Sequence, residues 1–216
     1  MAKTSNSSRQ WLKEHENDFY VKKSRKEGYR SRAVYKLEEI AQREHLFLGQ
    51  NQQRLSIIDL GAAPGSWSQW IIQQRRLLNK QHTTDIIAVD LLPIDPLPDV
   101  TLIEGDFREE AILEQILKRV QGQKIDLVIS DMSPNITGMK AVDQPRAMFL
   151  AELAVDLAFR VLKPNGHFLT KIFQGEGFDA YVKALRPHFE SVKVRKPKAS
   201  RPRSREVYLF ARNFKQ

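Results

Sequence analysis

The stretch SVKVRKPKASRPRSREVYLFARN, residues 191–213, decides the fold. Both ends read as strands: SVKVRKP alternates apolar and basic residues, and SREVYLFARN is rich in β-branched and aromatic side chains. The basic segment between them has no room for a crossover helix, so the two strands pair as an antiparallel hairpin. Upstream of it, strand-like and helix-like segments alternate. RLSIIDL (54–60) is a short β-branched run of the kind found in central parallel strands, and DIIAVD (85–90), TLIEGDF (101–107), KIDLVISD (124–131) and GHFLTKIF (166–173) follow it. GAAPGSWSQWIIQQ (61–74), EEAILEQILKRV (109–120), DQPRAMFLAELAVDLAFRVL (143–162) and GFDAYVKALRPHF (177–189) have helical character. SRAVYKLEEI (31–40) puts Ala33, Val34, Leu37 and Ile40 at helical spacing ahead of the first strand. The pattern predicts a doubly wound, Rossmann-like α/β sheet, mostly parallel, with a C-terminal antiparallel hairpin.

Composition bounds the rest. Of 216 residues, 41% are hydrophobic and 28% charged, as in ordinary soluble globular chains. One domain is expected over 21–216, preceded by a basic, partly disordered arm over 1–20. No apolar run approaches the ~20 residues of a membrane span, and no secretory signal is visible. The absence of cysteine excludes disulfides and thiolate metal sites and suits a cytoplasmic protein. The five histidines lack metal-ligand spacing, so no metal site is expected. The net charge of +9 is unevenly placed: residues 1–36 carry +6, residues 183–216 carry +9, and the middle carries −6. An acidic core between two basic ends points to a polyanionic partner.

In an open α/β sheet, ligands bind beyond the carboxyl ends of the strands. Gly61 and Gly65 in DLGAAPGSW allow tight turns and close backbone approach there. Asp90 suits the hydroxyls of a ribose, Asp106 an exocyclic amine, and Asp131 closes the next strand. A single acidic strand end often only caps a helix, but three with a Gly-rich first loop suggest an adenosine-bearing cofactor. The spacing G-x-x-x-G is neither the dinucleotide fingerprint nor a P-loop. Lys171, between Thr170 and Ile172 near the end of an apolar strand, is the odd residue, since lysine is rarely buried without a partner.

Together DLGAAPGSWSQW, DLLPIDP, GDFR, SDMSPN, KIFQGEGF and RPRSREVY resemble the FtsJ family of ribosomal RNA 2′-O-ribose methyltransferases, over about residues 9–212. A reversed last strand agrees with that family's methyltransferase sheet. The resemblance implies S-adenosyl-L-methionine as cofactor and a Lys-Asp-Lys-Glu catalytic set falling on Lys36, Asp131, Lys171 and Glu206. It points to Gly65, Trp67, Asp90, Asp106 and Asp131 for cofactor contacts, beside Gly61 from the loop itself. It further implies a uridine of 23S ribosomal RNA, in the aminoacyl-tRNA-binding loop of the large subunit, as target. Two departures stand out: Ser66 where the family commonly has a second glycine, and a longer, more polar stretch QQRRLLNKQHTTD between the first two strands.

A ribose hydroxyl is a poor nucleophile, so methyl transfer needs its proton removed and its oxygen held in line. Lys171 serves as general base if neutral, or holds the developing alkoxide if charged; Asp131 orients it, and Lys36 and Glu206 position the ribose. Lys22, Lys23, Arg25, Arg30, Arg32, Arg195, Lys196, Arg201, Arg203 and Arg205, in the segments flanking Lys36 and Glu206, are the expected phosphate contacts of a monomeric RNA-binding enzyme. The alternatives are a 2′-O-methyltransferase of transfer RNA or messenger RNA caps, and a non-catalytic ribosome assembly factor on the same fold.

Overall fold

The computed structural model describes residues 17–46, 53–79 and 82–215. Among the described residues seven strands form one sheet: β1 (Arg54–Leu60), β2 (Thr83–Asp90), β3 (Val100–Glu104), β4 (Ile125–Ser130), β5 (Leu162–Phe173), β6 (Phe189–Arg195) and β7 (Glu206–Phe214). Their order is β3-β2-β1-β4-β5-β7-β6. β1 to β5 run parallel, and β7 pairs antiparallel with both β5 and β6. The hairpin is therefore present, with β7 inserted next to β5 and β6 at the edge.

Period-two alternation sends neighbouring side chains to opposite faces, and both faces are covered. Ile58, Leu60, Val128 and Phe168 join one buried cluster with α4 (Glu110–Val120), α5 (Lys140–Val161) and α6 (Phe178–Leu185). Ile57, Leu127, Ile129 and Leu169 join the other with α2 (Val34–Glu44) and α3 (Ser66–Leu78). Each fully buried side chain of this size contributes roughly 1.5–3 kcal/mol. None of the described helices is long and apolar enough to cross a membrane.

Two local features differ from the pattern read in the sequence. A helix, α1 (Phe19–Glu27), spans the end of the expected arm and the start of the domain, where no element was read. The Asp18 carboxylate caps it by accepting from the Tyr20 and Val21 amides, and Gly28 closes it in the left-handed conformation at φ 74°. Residues 1–16 of the arm lie outside the described residues. The Lys163–Gly166 segment, which reads as a turn, is drawn into β5 as a bulge: Ile125 pairs with Leu162, but Leu127 pairs with His167.

The hairpin is braced along one side by Glu44 at the end of α2. This carboxylate is buried and receives Arg195, Lys193 and Arg212 from β6 and β7. Burial alone would raise its pKa, but bonds from Arg195 and Lys193 outweigh it and hold it low. Paired charge makes the burial tolerable.

Candidate active site

Because β7 runs against β5, its first residues reach the edge where the parallel strands end. Phe173 pairs with Glu206 and Lys171 with Tyr208, which puts Lys171, Tyr208 and Glu206 on one face of the sheet. That face is the one covered by α2, which carries Lys36.

Lys171 is 8% exposed and is not without a partner. Its Nζ donates to the Asp131 carbonyl at 2.5 Å and lies 3.1 Å from Asp131 Oδ1. The same Oδ1 accepts from the Tyr208 hydroxyl at 2.7 Å. Lys36 Nζ pairs with Glu206 Oε1 at 2.9 Å and lies 5.7 Å from the centre of the Tyr208 ring. Glu206 Oε1 also accepts from the Ser200 hydroxyl at 2.7 Å. The four residues named from sequence thus form two ion pairs, with Tyr208 between them. Burial would raise the Asp131 carboxyl, yet Lys171, Lys36 and the Tyr208 hydroxyl together hold it below the usual carboxylate range. Burial, reinforced by Asp131 and Glu206, pushes the Tyr208 phenol far up, so it is a fixed donor.

Tyr208 and Ser200 were not singled out in the sequence. Tyr208 had a readable signal, since it follows Glu206 at the two-residue period of a strand; Ser200 had none.

Beside this group opens a cavity of about 500 Å³, lined by Gly61, Asp90, Asp106, Phe107, Asp131 and Met132 among others. Such a volume lies in the range of small-ligand sites. Gly61 sits at φ 71°, and a Cβ there would meet the Met132 backbone at 2.8–2.9 Å, so only glycine lets the first loop lie against the Asp131 loop. The Asp90 carboxylate accepts from Ala63 N at 2.8 Å and Leu92 N at 2.9 Å, leaving lone pairs for a ligand hydroxyl. Asp106 is gripped by Arg108, whose hydrogen bonds hold its carboxyl low. Asp59, at the end of β1, is 1% exposed; Ser68 donates to its Oδ2 at 2.7 Å while Oδ1 has no partner. Burial, with Asp131 and Asp90 nearby, pushes its carboxyl up to about 7.

Two cofactor candidates lie outside this lining. Trp67 is 3% exposed, donates its indole N–H to Ala33 O at 2.8 Å and packs on Tyr208 at 5.9 Å. Gly65 is buried at φ 97° against Arg30, Leu97 and Ile94.

A family model described as FtsJ-like methyltransferase matches residues 29–214. This chain belongs to the FtsJ-like methyltransferase family. The FtsJ-like chain is 56% identical to a Pseudomonas fluorescens protein named ribosomal RNA large subunit methyltransferase E, over 98% of this chain and 97% of that one. It is 52% identical to a protein of the same name from Hydrogenovibrio crunogenus, over 98% of each. A solved structure described as a ribosomal RNA methyltransferase from Plasmodium falciparum superposes with a TM-score of 0.73 at 30% identity, over 86% of this chain and 98% of that one. The cofactor of this FtsJ-like enzyme is S-adenosyl-L-methionine. Part of the cavity's lining fits it: Asp90 offers acceptors for ribose hydroxyls and Gly61 brings backbone close, whereas both Asp106 oxygens are taken by Arg108.

The expected phosphate contacts divide into two groups. Lys22 and Arg25 are exposed on α1, and Arg203 is exposed in the β6–β7 connection, with Arg201 half-buried beside it. Lys23 lies over the Tyr35 ring at 4.1 Å and 3.8 Å from Glu27, and Arg205 donates to Gln174 O at 3.2 Å. Four others spend their head groups on the fold. Arg195 binds Glu44, Arg32 binds Asp18 and the Ala199 carbonyl, and Lys196 donates to Ser204 O at 2.5 Å and Glu206 O at 2.6 Å. Arg30 is tied to three carbonyls of the cofactor loops.

Proposed function

We propose that this methyltransferase transfers the methyl group of S-adenosyl-L-methionine to the 2′-oxygen of a uridine ribose in 23S ribosomal RNA, in the aminoacyl-tRNA-binding loop of the large subunit. Relatives named for the ribosomal large subunit, more than half identical and matched end to end, support the RNA class. One observation carries the chemistry: Lys36, Asp131, Lys171 and Glu206, from four separate elements, meet beside the cavity as two ion pairs joined through Tyr208.

Bound S-adenosyl-L-methionine supplies an electrophilic methyl group. Lys171 spends two donor directions on Asp131, which leaves a third for the ribose oxygen. Asp131, fixed by Tyr208, holds Lys171 in place. A neutral Lys171 amine takes the hydroxyl proton itself; a charged one holds the developing alkoxide while the proton leaves to water. Negative charge growing on the oxygen is met by ammonium groups already oriented, so no reorganisation is needed at the moment of reaction. Lys36, held by Glu206, grips the nucleotide from the opposite side. The protein is expected to act as a cytoplasmic monomer.

The test is methyl transfer from labelled S-adenosyl-L-methionine to large-subunit ribosomal RNA from a strain lacking the enzyme, followed by mapping of the product. A single uridine 2′-O-methyl is expected. Methylation of a base, or of transfer RNA alone, would overturn the assignment.

A further inference from the structure

Arg30 belongs to the basic segment expected to face RNA, yet its guanidinium is bound to loop carbonyls at the surface. Nη1 donates to Pro64 O at 3.0 Å and Asp95 O at 2.7 Å, and Nη2 donates to Pro96 O at 3.1 Å. Pro64 lies in the loop after β1; Asp95 and Pro96 lie in the loop after β2. Asp90 joins the same two loops from the cavity side, accepting from Ala63 N and Leu92 N. The loops that flank the cavity are thus clamped at both ends, by a carboxylate within and a guanidinium behind.

The backbone around Arg30 is fastened to the same unit. Its own amide donates to Gln69 Oε1 at 3.1 Å, and Gln69 Nε2 donates to Gly28 O at 2.9 Å. The Ser31 and Ser66 hydroxyls meet at 2.8 Å. Gly65 is the clearest sign of the fit. A Cβ there would come within 3.0 Å of Arg30 Nη1, 3.1 Å of Leu97 and 3.2 Å of Ile94, so a glycine that does not line the cavity makes room for the clamp.

We propose that Arg30 is a positioning residue of the cofactor site, and that its guanidinium sets the separation of the two loops instead of contacting a phosphate. Three carbonyls match the fork of a guanidinium and not the compact head of a lysine. The proposal rests on placing S-adenosyl-L-methionine in the cavity lined by Asp90.

The test measures S-adenosylhomocysteine binding by calorimetry and RNA binding across a salt series, for the parent, R30A, R30K and D90N. In R30A the Kd for S-adenosylhomocysteine should rise about tenfold, the effect of losing charge-assisted hydrogen bonds, and R30K should not restore it. The slope of log affinity for RNA against log salt should stay at the parent value, whereas a lost phosphate contact lowers it by about 0.7–0.9. R30K, which keeps the charge, serves where R30A does not fold. If D90N loses affinity and neither Arg30 variant does, the role of Arg30 is overturned and the cavity stands. If all variants bind like the parent, the placement of the cofactor falls with it. An equal loss of cofactor and RNA affinity would mean general loosening and would also overturn the proposal.

Discussion

Lys36 Nζ lies 2.9 Å from Glu206 Oε1, although one residue sits on helix α2 near the start of the chain and the other opens the last strand. Only about 13% of each side chain is exposed. A pair so sheltered fixes both partners, and breaking it leaves a charge poorly compensated. K36A and E206Q should each lower kcat/KM for RNA by about 10²-fold, and the double variant should lose much less than the product of the two. Single-turnover rates for the four members of the cycle check this. Strictly multiplicative losses would show that the pair does not act as a unit.

Lys171 and Asp131 divide differently between chemistry and binding. Asp131 lines the cavity while Lys171 does not. K171A should lose about 10³-fold or more in methyl transfer and keep S-adenosylhomocysteine affinity near the parent value. D131N should lose transfer and also weaken cofactor binding. Calorimetry beside a radiolabel transfer assay separates the two. Near-normal turnover by K171A removes the lysine from the reaction.

The sheet was legible because each strand carries its own signal: β-branched runs for β1 and β4, and an apolar strand ending at Lys171. The antiparallel hairpin followed from the length of its connection alone. Helix α1 was missed because its residues are mostly polar; only the caps Asp18 and Gly28 announced it. Within the site, strand position marked Lys171 and Asp131, only the resemblance in motif marked Lys36 and Glu206, and alternation in β7 would have added Tyr208. The roles of Arg30, Arg32, Arg195 and Lys196 were not legible, because a basic residue reads the same whether its charge meets a carbonyl within the fold or faces solvent. Gly65 was legible as a necessary glycine, but its neighbour Arg30 is visible only in three dimensions.

Asp59 makes stability depend on pH with a definite sign. Its carboxyl is raised to about 7 in the fold, against about 3.9 in an unfolded chain. The native state therefore binds the extra proton between these values, and stability falls as pH rises from about 4 to about 7, then levels off. D59N removes the titration. Its amide can still accept from Ser68, but its N–H groups replace an Oδ1 that has no partner, which offsets part of the gain. D59N should be more stable than the parent above pH 7, by on the order of 1–2 kcal/mol, and less stable near pH 4, because the parent alone regains about 4 kcal/mol as pH falls. Thermal unfolding at several pH values, without cofactor, checks it. A parent whose stability rises from pH 5 to 7 through this residue has the opposite sign and contradicts the assignment.

The basic residues are expected to divide between phosphate contacts and braces of the fold. RNA affinity should fall linearly with salt on logarithmic axes, because each phosphate neutralised releases bound counterions. Lys22 and Arg25 are exposed on α1, so the K22A/R25A variant should reduce the slope by about 1.4–1.8 and leave the melting temperature nearly unchanged. Arg195 binds the buried carboxylate of Glu44. R195A should instead lower the melting temperature, since Glu44 keeps its burial and loses a partner, while the slope stays near that of the parent. Filter binding from low to moderate salt, with unfolding curves for the same variants, tests both halves. A flat salt dependence of the parent contradicts the electrostatic interface altogether. A reduced slope in R195A with an unchanged melting temperature would move Arg195 from brace to phosphate contact.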